Sequence, residues 1–324
     1  KRKRGVVSMT APVKLKETLT IHDTMFIKQH TFSCGHKAPI FEVNTMHALN
    51  QIIGHAKFNN RDYGRVLYRG QCGLYETLLP ALIRNNIPSM STASIETITK
   101  RISNQLKRII DDNKLPNELK INNDTQETKE WKVEAVLQHY GIPTRFIDLV
   151  DNHWVALWMG LHHIEEIKNL FSYYRYQERI IPYAEAIPVV PRLIEEKEIY
   201  QYILLVAFPN GEFQAPGISV TDKHIIVDLR QALPSTFLRP HAQHALVAKV
   251  KENRIDVDKS YYDFAENVVG IIRIRIDRSH NWIGSGQLLT QDNLFPPAAY
   301  DNGYDILLSR TDLFDELYTI IKYI

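Results

Sequence analysis

The chain has 324 residues, 44% hydrophobic and 23% charged, which suits one large domain or two ordinary ones with a substantial core. A net charge of +2 neither requires nor excludes a nucleic-acid partner, because a basic face can hide in a neutral total. Two cysteines in so long a chain exclude a disulfide scaffold, and no segment reaches the ~18 apolar residues of a membrane span, so a reducing, cytoplasmic compartment is expected.

The opening KRKRGVVSMT carries its charges with no apolar stretch behind them, unlike a secretory signal. Residues 1–44 are mixed and turn-rich and are expected to form an N-terminal arm with a strand or two. Residues 45–324 are expected to form the main domain, closing on an amphipathic helix, RTDLFDELYTIIKYI. Within it, TMHALNQIIGHAKF reads as a helix that Thr45 caps, with Met46, Leu49, Ile52 and Ile53 at helical spacing. RVLYRG follows as a short strand, then LYETLLPALIRNN as a helix interrupted by proline. Residues 92–112 have Ile95, Ile98, Ile102 and Leu106 on one helical face. Trp131–Tyr140 reads as a helix stopped by Gly141 and Pro143. TRFIDLV is strand-like, and a helix is expected from about His153 to Leu170 with Asn152 as its cap. The second half changes character. YILLVAFP, HIIVDLR, HALVAKV and VVGIIRIRI run apolar with β-branched residues and read as strands. Helices first and strands later argue an α+β fold with a helix-rich N-terminal half.

No Walker loop, GxGxxG, HExxH or GxSxG sequence is present. Cys34, in SCGH, has no second thiol close by, and no metal site is expected. Two stretches remain. In VLYRGQ an arginine, Arg69, leaves an apolar strand and Gly70 and Gln71 follow at once. A guanidinium offers a planar fork for phosphate or carboxylate, and glycine admits close approach of a ligand or of another backbone. The alternative is that Arg69 pins its surroundings by pairing with a buried carboxylate. In LQHYGIPTRFIDLV, a tight turn gathers Gln138, His139, Tyr140, Thr144 and Arg145 around one bend, with Asp148 just beyond. That is either a ligand cradle or a satisfied polar junction. LRPHAQHALV, with Arg239 and Gln243, and NLFPPAAYDNGYDIL, with Asn293, Phe295, Pro296 and Gly303, are expected to serve structure.

Taken in order, these blocks resemble the FRG domain family, named for a Phe-Arg-Gly motif. The QH-x-G-x-PTR-x-x-D core, Gln138 to Asp148, is the most specific part, and the similarity runs from about Thr45 to Leu308. Tyr68 stands where phenylalanine is usual, Leu149-Val150 where Trp-Thr is usual, and His244-Ala245 where Gln-Gly is usual. The resemblance implies kinship with ADP-ribosyltransferases: a mostly antiparallel, split β-sheet core, NAD as cofactor, and a protein or nucleic-acid acceptor. It also implies a toxin or phage-defence role, with an antitoxin as a partner. Carried onto this chain, the catalytic residues are Arg69, His139, Thr144 and Gln243. NAD is expected to be held by Tyr68, Arg69, Gly70, Gln71, Tyr140, Thr144 and Arg145. Breaking the nicotinamide–ribose bond builds positive charge on the ribose, and a carboxylate would stabilise it better than the neutral Gln243. Glu134 and Glu266 are the spare candidates. A metal-independent ribonuclease using His139, Arg69, Arg145 and Tyr140, or a non-catalytic nucleotide-binding module, are the competing expectations.

Overall fold

The computed structural model describes residues 11–85, 97, 100, 103–104, 107, 124–168, 172–181, 195–252, 258–283, 289–297, 299–301 and 303–304. Its frame is a ten-stranded sheet. The strands are β1 (Thr24–Thr31), β2 (Lys37–Val43), β3 (Gly64–Gln71), β4 (Ile147–Val150), β7 (Tyr200–Pro209), β8 (Glu212–Ala215), β9 (Ile218–Val220), β10 (His224–Asp228), β11 (Ala245–Val250) and β12 (Val268–Arg275). They lie side by side in the order β1-β2-β12-β7-β3-β4-β11-β10-β9-β8. Eight of the nine neighbouring pairs are antiparallel, and only β2 runs parallel to β12. A separate hairpin joins β5 (His162–Lys168) to β6 (Ser172–Glu178).

The central strands explain their own sequence. YILLVAFP in β7 is apolar without alternation because both faces are covered. Ile203, Leu205 and Ala207 enter one core cluster, while Leu204, Val206 and Phe208 enter another on the opposite face. Helix Met46–Asn60 lays Leu49, Ile52 and Ile53 on the first of these faces, its N-terminus capped by the Thr45 hydroxyl at 3.2 Å from Ala48 N. Helix His153–Leu161 lies on the same face, capped by Asn152. Helix Gln126–His139 covers a third cluster with Phe146, Val227 and Val247, where the sheet continues through β11 and β10.

Several expectations need correction. Among its described residues the N-terminal half is mixed rather than helix-rich: β1, β2 and β3 all belong to the main sheet, and β2 pairs directly with β12. The strands join in one continuous sheet rather than in the split, ADP-ribosyltransferase-like core. The helix expected to reach Leu170 ends at Leu161, where His162 turns extended and the chain pairs with β6. Among the described residues of the LYETLLPALIRNN segment, Ala81–Asn85 alone is helical. Leu78 is drawn out of helix by tertiary bonds: its N–H donates to Asp263 Oδ1 at 2.8 Å and its carbonyl accepts from Phe264 N. Of the helix expected over 92–112, the described residues Thr97, Lys100, Ser103, Asn104 and Lys107 are helical. The rest of it, and the expected C-terminal helix, lie outside the described residues.

The weakest junction of the sheet lies at its centre. β3 and β4 are in register at a single pair, Tyr68 with Val150. Every other internal neighbour of β3 and β4 holds a longer ladder.

Candidate functional site

Beyond the Tyr68–Val150 pair the two strands part, and a cleft of 770 Å³ opens there. Its walls come from distant parts of the chain. Arg69, Gly70 and Gln71 end β3, and Gln138, His139 and Tyr140 end the 126–139 helix. Asp148 lies on β4, His162 and Tyr176 on the hairpin, and Arg239 and Gln243 at the 238–242 helix.

The bend that follows the 126–139 helix is built by its own polar side chains. Gly141 takes φ 96°, a left-handed conformation that favours glycine, and no atom lies within 4 Å of where its Cβ would be. Glycine is there for backbone conformation and not for space. Gln138 Oε1 then accepts from Thr144 Oγ1 at 2.8 Å and from Thr144 N at 3.2 Å. The Thr144 hydroxyl oxygen accepts in turn from Phe146 N. Gln138 Nε2 donates to Asp148 Oδ2 at 2.8 Å, and the Asp148 carbonyl accepts from Arg69 Nη1 at 2.7 Å. One chain of bonds therefore runs from Thr144 through Gln138 and Asp148 to Arg69 and ties the two parted strands together.

The opposite wall is organised by Asp301, which is fully buried. Tyr140 Oη donates to both of its oxygens at 2.8 Å, and the N–H groups of Leu238, Arg239 and Gly303 also donate to it. Arg239 stacks 4.6 Å from the Phe295 ring centre and donates from Nη1 to Tyr304 Oη. Phe295 lies against Tyr176, with ring centres 4.2 Å apart. Gln243 uses its amide N–H₂ on the Leu294 carbonyl at 2.7 Å.

Four polar atoms of the lining residues are buried and have no partner: Tyr68 Oη, Arg69 Nε, His139 Nε2 and Arg239 Nε. Such atoms are rare in folded proteins, and each calls for a ligand or a water. Burial, with Arg239 beside it, pushes His139 well below the ordinary histidine range, so the ring is neutral near pH 7. Burial likewise lowers Arg69, against the pull of Asp148. Asp148 is the exposed residue of β4, open to the cleft but crowded by protein on its other sides. That crowding raises its pKa, although Arg69, Gln138, Arg239 and Arg84 oppose the shift. Among the described residues it is the only carboxylate lining the cleft. Three guanidiniums, those of Arg69, Arg84 and Arg239, line it too. The site is therefore electropositive, with one acid among the bases.

The structure separates the residues singled out in the sequence. Tyr68, Arg69, Gly70, Gln71, His139, Tyr140 and Gln243 all line the cleft. Within that group Tyr140 is bound to Asp301 and Gln243 to Leu294, so both hold the wall. Gly70 serves a backbone: a Cβ there would sit 1.8 Å from the Ala156 carbonyl oxygen. Thr144 is buried in the bend. Arg145 is buried elsewhere, with Nε and Nη2 on Glu134 at 2.8 and 2.7 Å and Nη1 on Glu252. Lys249 also donates to Glu134. Burial alone would raise Glu134, but Arg145 and Lys249 hold it at about 2. Neither Glu134 nor Glu266, which pairs with Lys223 at the surface, lines the cleft. Arg84, Tyr176 and His162 join the site without being singled out as site residues in the sequence. Arg84 ends the LLPALIR block, which reads only as helix, Tyr176 sits outside any recognisable motif, and His162 falls within the span expected to be helical.

The family model of the FRG domain matches residues 64–168. That span holds β3, the bend and Asp148. It leaves out Arg239, Gln243 and Phe295, which the fold brings to the same cleft. No curated protein and no solved structure matches the chain.

Proposed function

We propose, from the premise that residues 64–168 are an FRG domain, that the cleft binds NAD and that the protein transfers ADP-ribose to a protein or nucleic-acid acceptor. The observation that carries this reading is the set of buried, unpartnered N–H groups of Arg69 and Arg239, beside His139 Nε2, in a cleft lined by three guanidiniums. Unsatisfied guanidinium donors in a low-dielectric cleft suit phosphate oxygens. The 770 Å³ volume is of the size that takes a whole nucleotide ligand. Phe295 and Tyr176 add a flat apolar surface for a ring.

In this reading Arg69 and Arg239 hold the diphosphate, and neutral His139 hydrogen-bonds the ligand without adding charge. Thr144 acts through Gln138 as a positioning residue, and Arg145 supports the fold behind the bend. The proposed setting is a toxin or phage-defence effector. A ribonuclease is less well supported, because burial and the neighbouring Arg239 disfavour the protonated His139 that would donate to a leaving oxygen.

The test is incubation of purified protein with adenylate-labelled NAD and a cell lysate, alongside direct NAD titration. The expected outcome is NAD binding and label transferred to a macromolecule. Arg239→Ala and His139→Ala should weaken binding by about tenfold or more. Wild-type protein that neither binds nor consumes NAD, or that cuts RNA in its absence, would overturn the proposal.

A further inference from the structure

We infer that Asp148 is the catalytic carboxylate of this cleft, the group that faces the reacting centre and takes the proton of the incoming acceptor. This rests on the NAD reading and deepens it. The position expected for that duty in the sequence is Gln243, with Glu134 and Glu266 in reserve. The structure commits each of these elsewhere: Gln243 to the Leu294 carbonyl, Glu134 to Arg145 and Lys249, and Glu266 to Lys223. Among the described residues that line the cleft, no other carboxylate remains.

Asp148 also has the geometry for the task. β4 pairs with β11 so that Asp148 stands opposite Val247, and Asp148 lines the cleft. Its neighbours on the strand are buried while it is exposed. One carboxyl oxygen is held by Gln138, itself fixed by Thr144, so the group has a defined orientation. The charged groups that act on it are Arg69 on β3, Arg84 on the 81–85 helix and Arg239 on the 238–242 helix, with Tyr176 on β6 beside it, and His139 at the end of the 126–139 helix and His162 and His163 on the hairpin line the same cleft. The protein packed around it raises its pKa, which moves a carboxylate toward the range where a general base works best near neutral pH.

In the step proposed, the bond between ribose C1 and the nicotinamide nitrogen breaks and nicotinamide leaves with the bonding electrons as a neutral molecule. The acceptor's nucleophilic atom bonds to C1, and its proton passes to Asp148. The ionised carboxylate also stabilises the positive charge that builds on the ribose during the step.

Three variants and two readouts test the assignment. NAD and ADP-ribose binding is measured by calorimetry from pH 5 to 8 for wild type, Asp148→Asn and Asp148→Glu, and NAD consumption is followed in parallel. Asp148→Asn should bind NAD as tightly as wild type or more tightly, because a negative charge leaves an anion site. It should consume NAD about a hundredfold more slowly or worse. Wild-type affinity for ADP-ribose should rise as the pH falls and Asp148 takes up a proton, and that dependence should vanish in Asp148→Asn. The thermal midpoint of Asp148→Asn should equal or exceed that of wild type. Asp148→Glu, which keeps the charge, should regain part of the rate. If wild type consumes NAD and Asp148→Asn does so within tenfold, the assignment falls and the NAD reading stands. If Asp148→Asn loses NAD binding at unchanged stability, the residue binds ligand and does not handle the proton. If wild type binds no NAD, both fall together.

Discussion

Gly70 lines the cleft, yet its geometry assigns it to helix packing, and Gly70→Ala tests that. A Cβ on Gly70 would meet the Ala156 carbonyl oxygen at 1.8 Å, and Ala156 C and Gly160 N each at 2.8 Å. All three are backbone atoms of the 153–161 helix, so no side chain can swing away. The helix and β3 must separate by roughly 1.5 Å to restore ordinary contact. Overpacking costs about 1–3 kcal/mol where side chains can adjust. With backbone on both sides, we expect ~3 kcal/mol or more. Gly160→Ala, one turn away, is the control. Its Cβ would meet Gln201 Oε1 at 2.4 Å, the far end of a side chain, and Gln71 backbone only at 3.3 Å. Alanine in place of glycine in a helix also returns roughly 0.5–1 kcal/mol. Gly160→Ala should therefore change stability by less than about 1 kcal/mol. Urea denaturation of the three proteins, compared at their midpoints with slopes held equal, reads the difference. Gly70→Ala within about 0.5 kcal/mol of wild type would refute the packing account and return the glycine to the ligand.

Thr144→Val should lower stability by ~2 kcal/mol, because the buried Phe146 N–H loses its acceptor and Gln138 loses its better donor. Thr144→Ser keeps both bonds and should recover most of that loss in the same denaturation assay. Glu134 is held at about 2 by Arg145 and Lys249, so its contribution to stability is full above its ordinary value and is lost as the pH falls toward 2. Glu134→Gln should therefore be less stable than wild type by roughly 3 kcal/mol at pH 7, and the gap should close between about pH 4.5 and 2. Thermal unfolding across that range checks it, and a gap that does not narrow would remove Glu134 as the titrating group.

Much of the frame is legible in the sequence because some elements are locally self-sufficient. β7, β10, β11 and β12 are apolar runs too short for helices and rich in β-branched residues. The 46–60 and 153–161 helices announce their starts through Thr45 and Asn152. β5 lacks any such signal. HHIEEIK has no strong period, and only pairing with β6 makes it a strand. The cleft is half legible: the bend and the end of β3 carry motifs, whereas Tyr176 carries none and Arg84 ends a block that reads only as helix.

What the sequence determined by itself is therefore local. It set where the strong strands and capped helices lie, and where Gly141 must turn the chain. The tertiary structure alone decided which polar residues are free to act. Arg69 and Arg145 look alike in the sequence, each beside a glycine- or proline-bearing turn. One reaches from the end of β3 to the Asp148 carbonyl on β4 with an unpartnered Nε, and the other is saturated by two carboxylates. Asp148 and Glu134 differ in the same way. The physical reason is that a charged side chain's chemistry depends on its partners and its solvent, and here several of those partners come from residues 79 to 115 positions away.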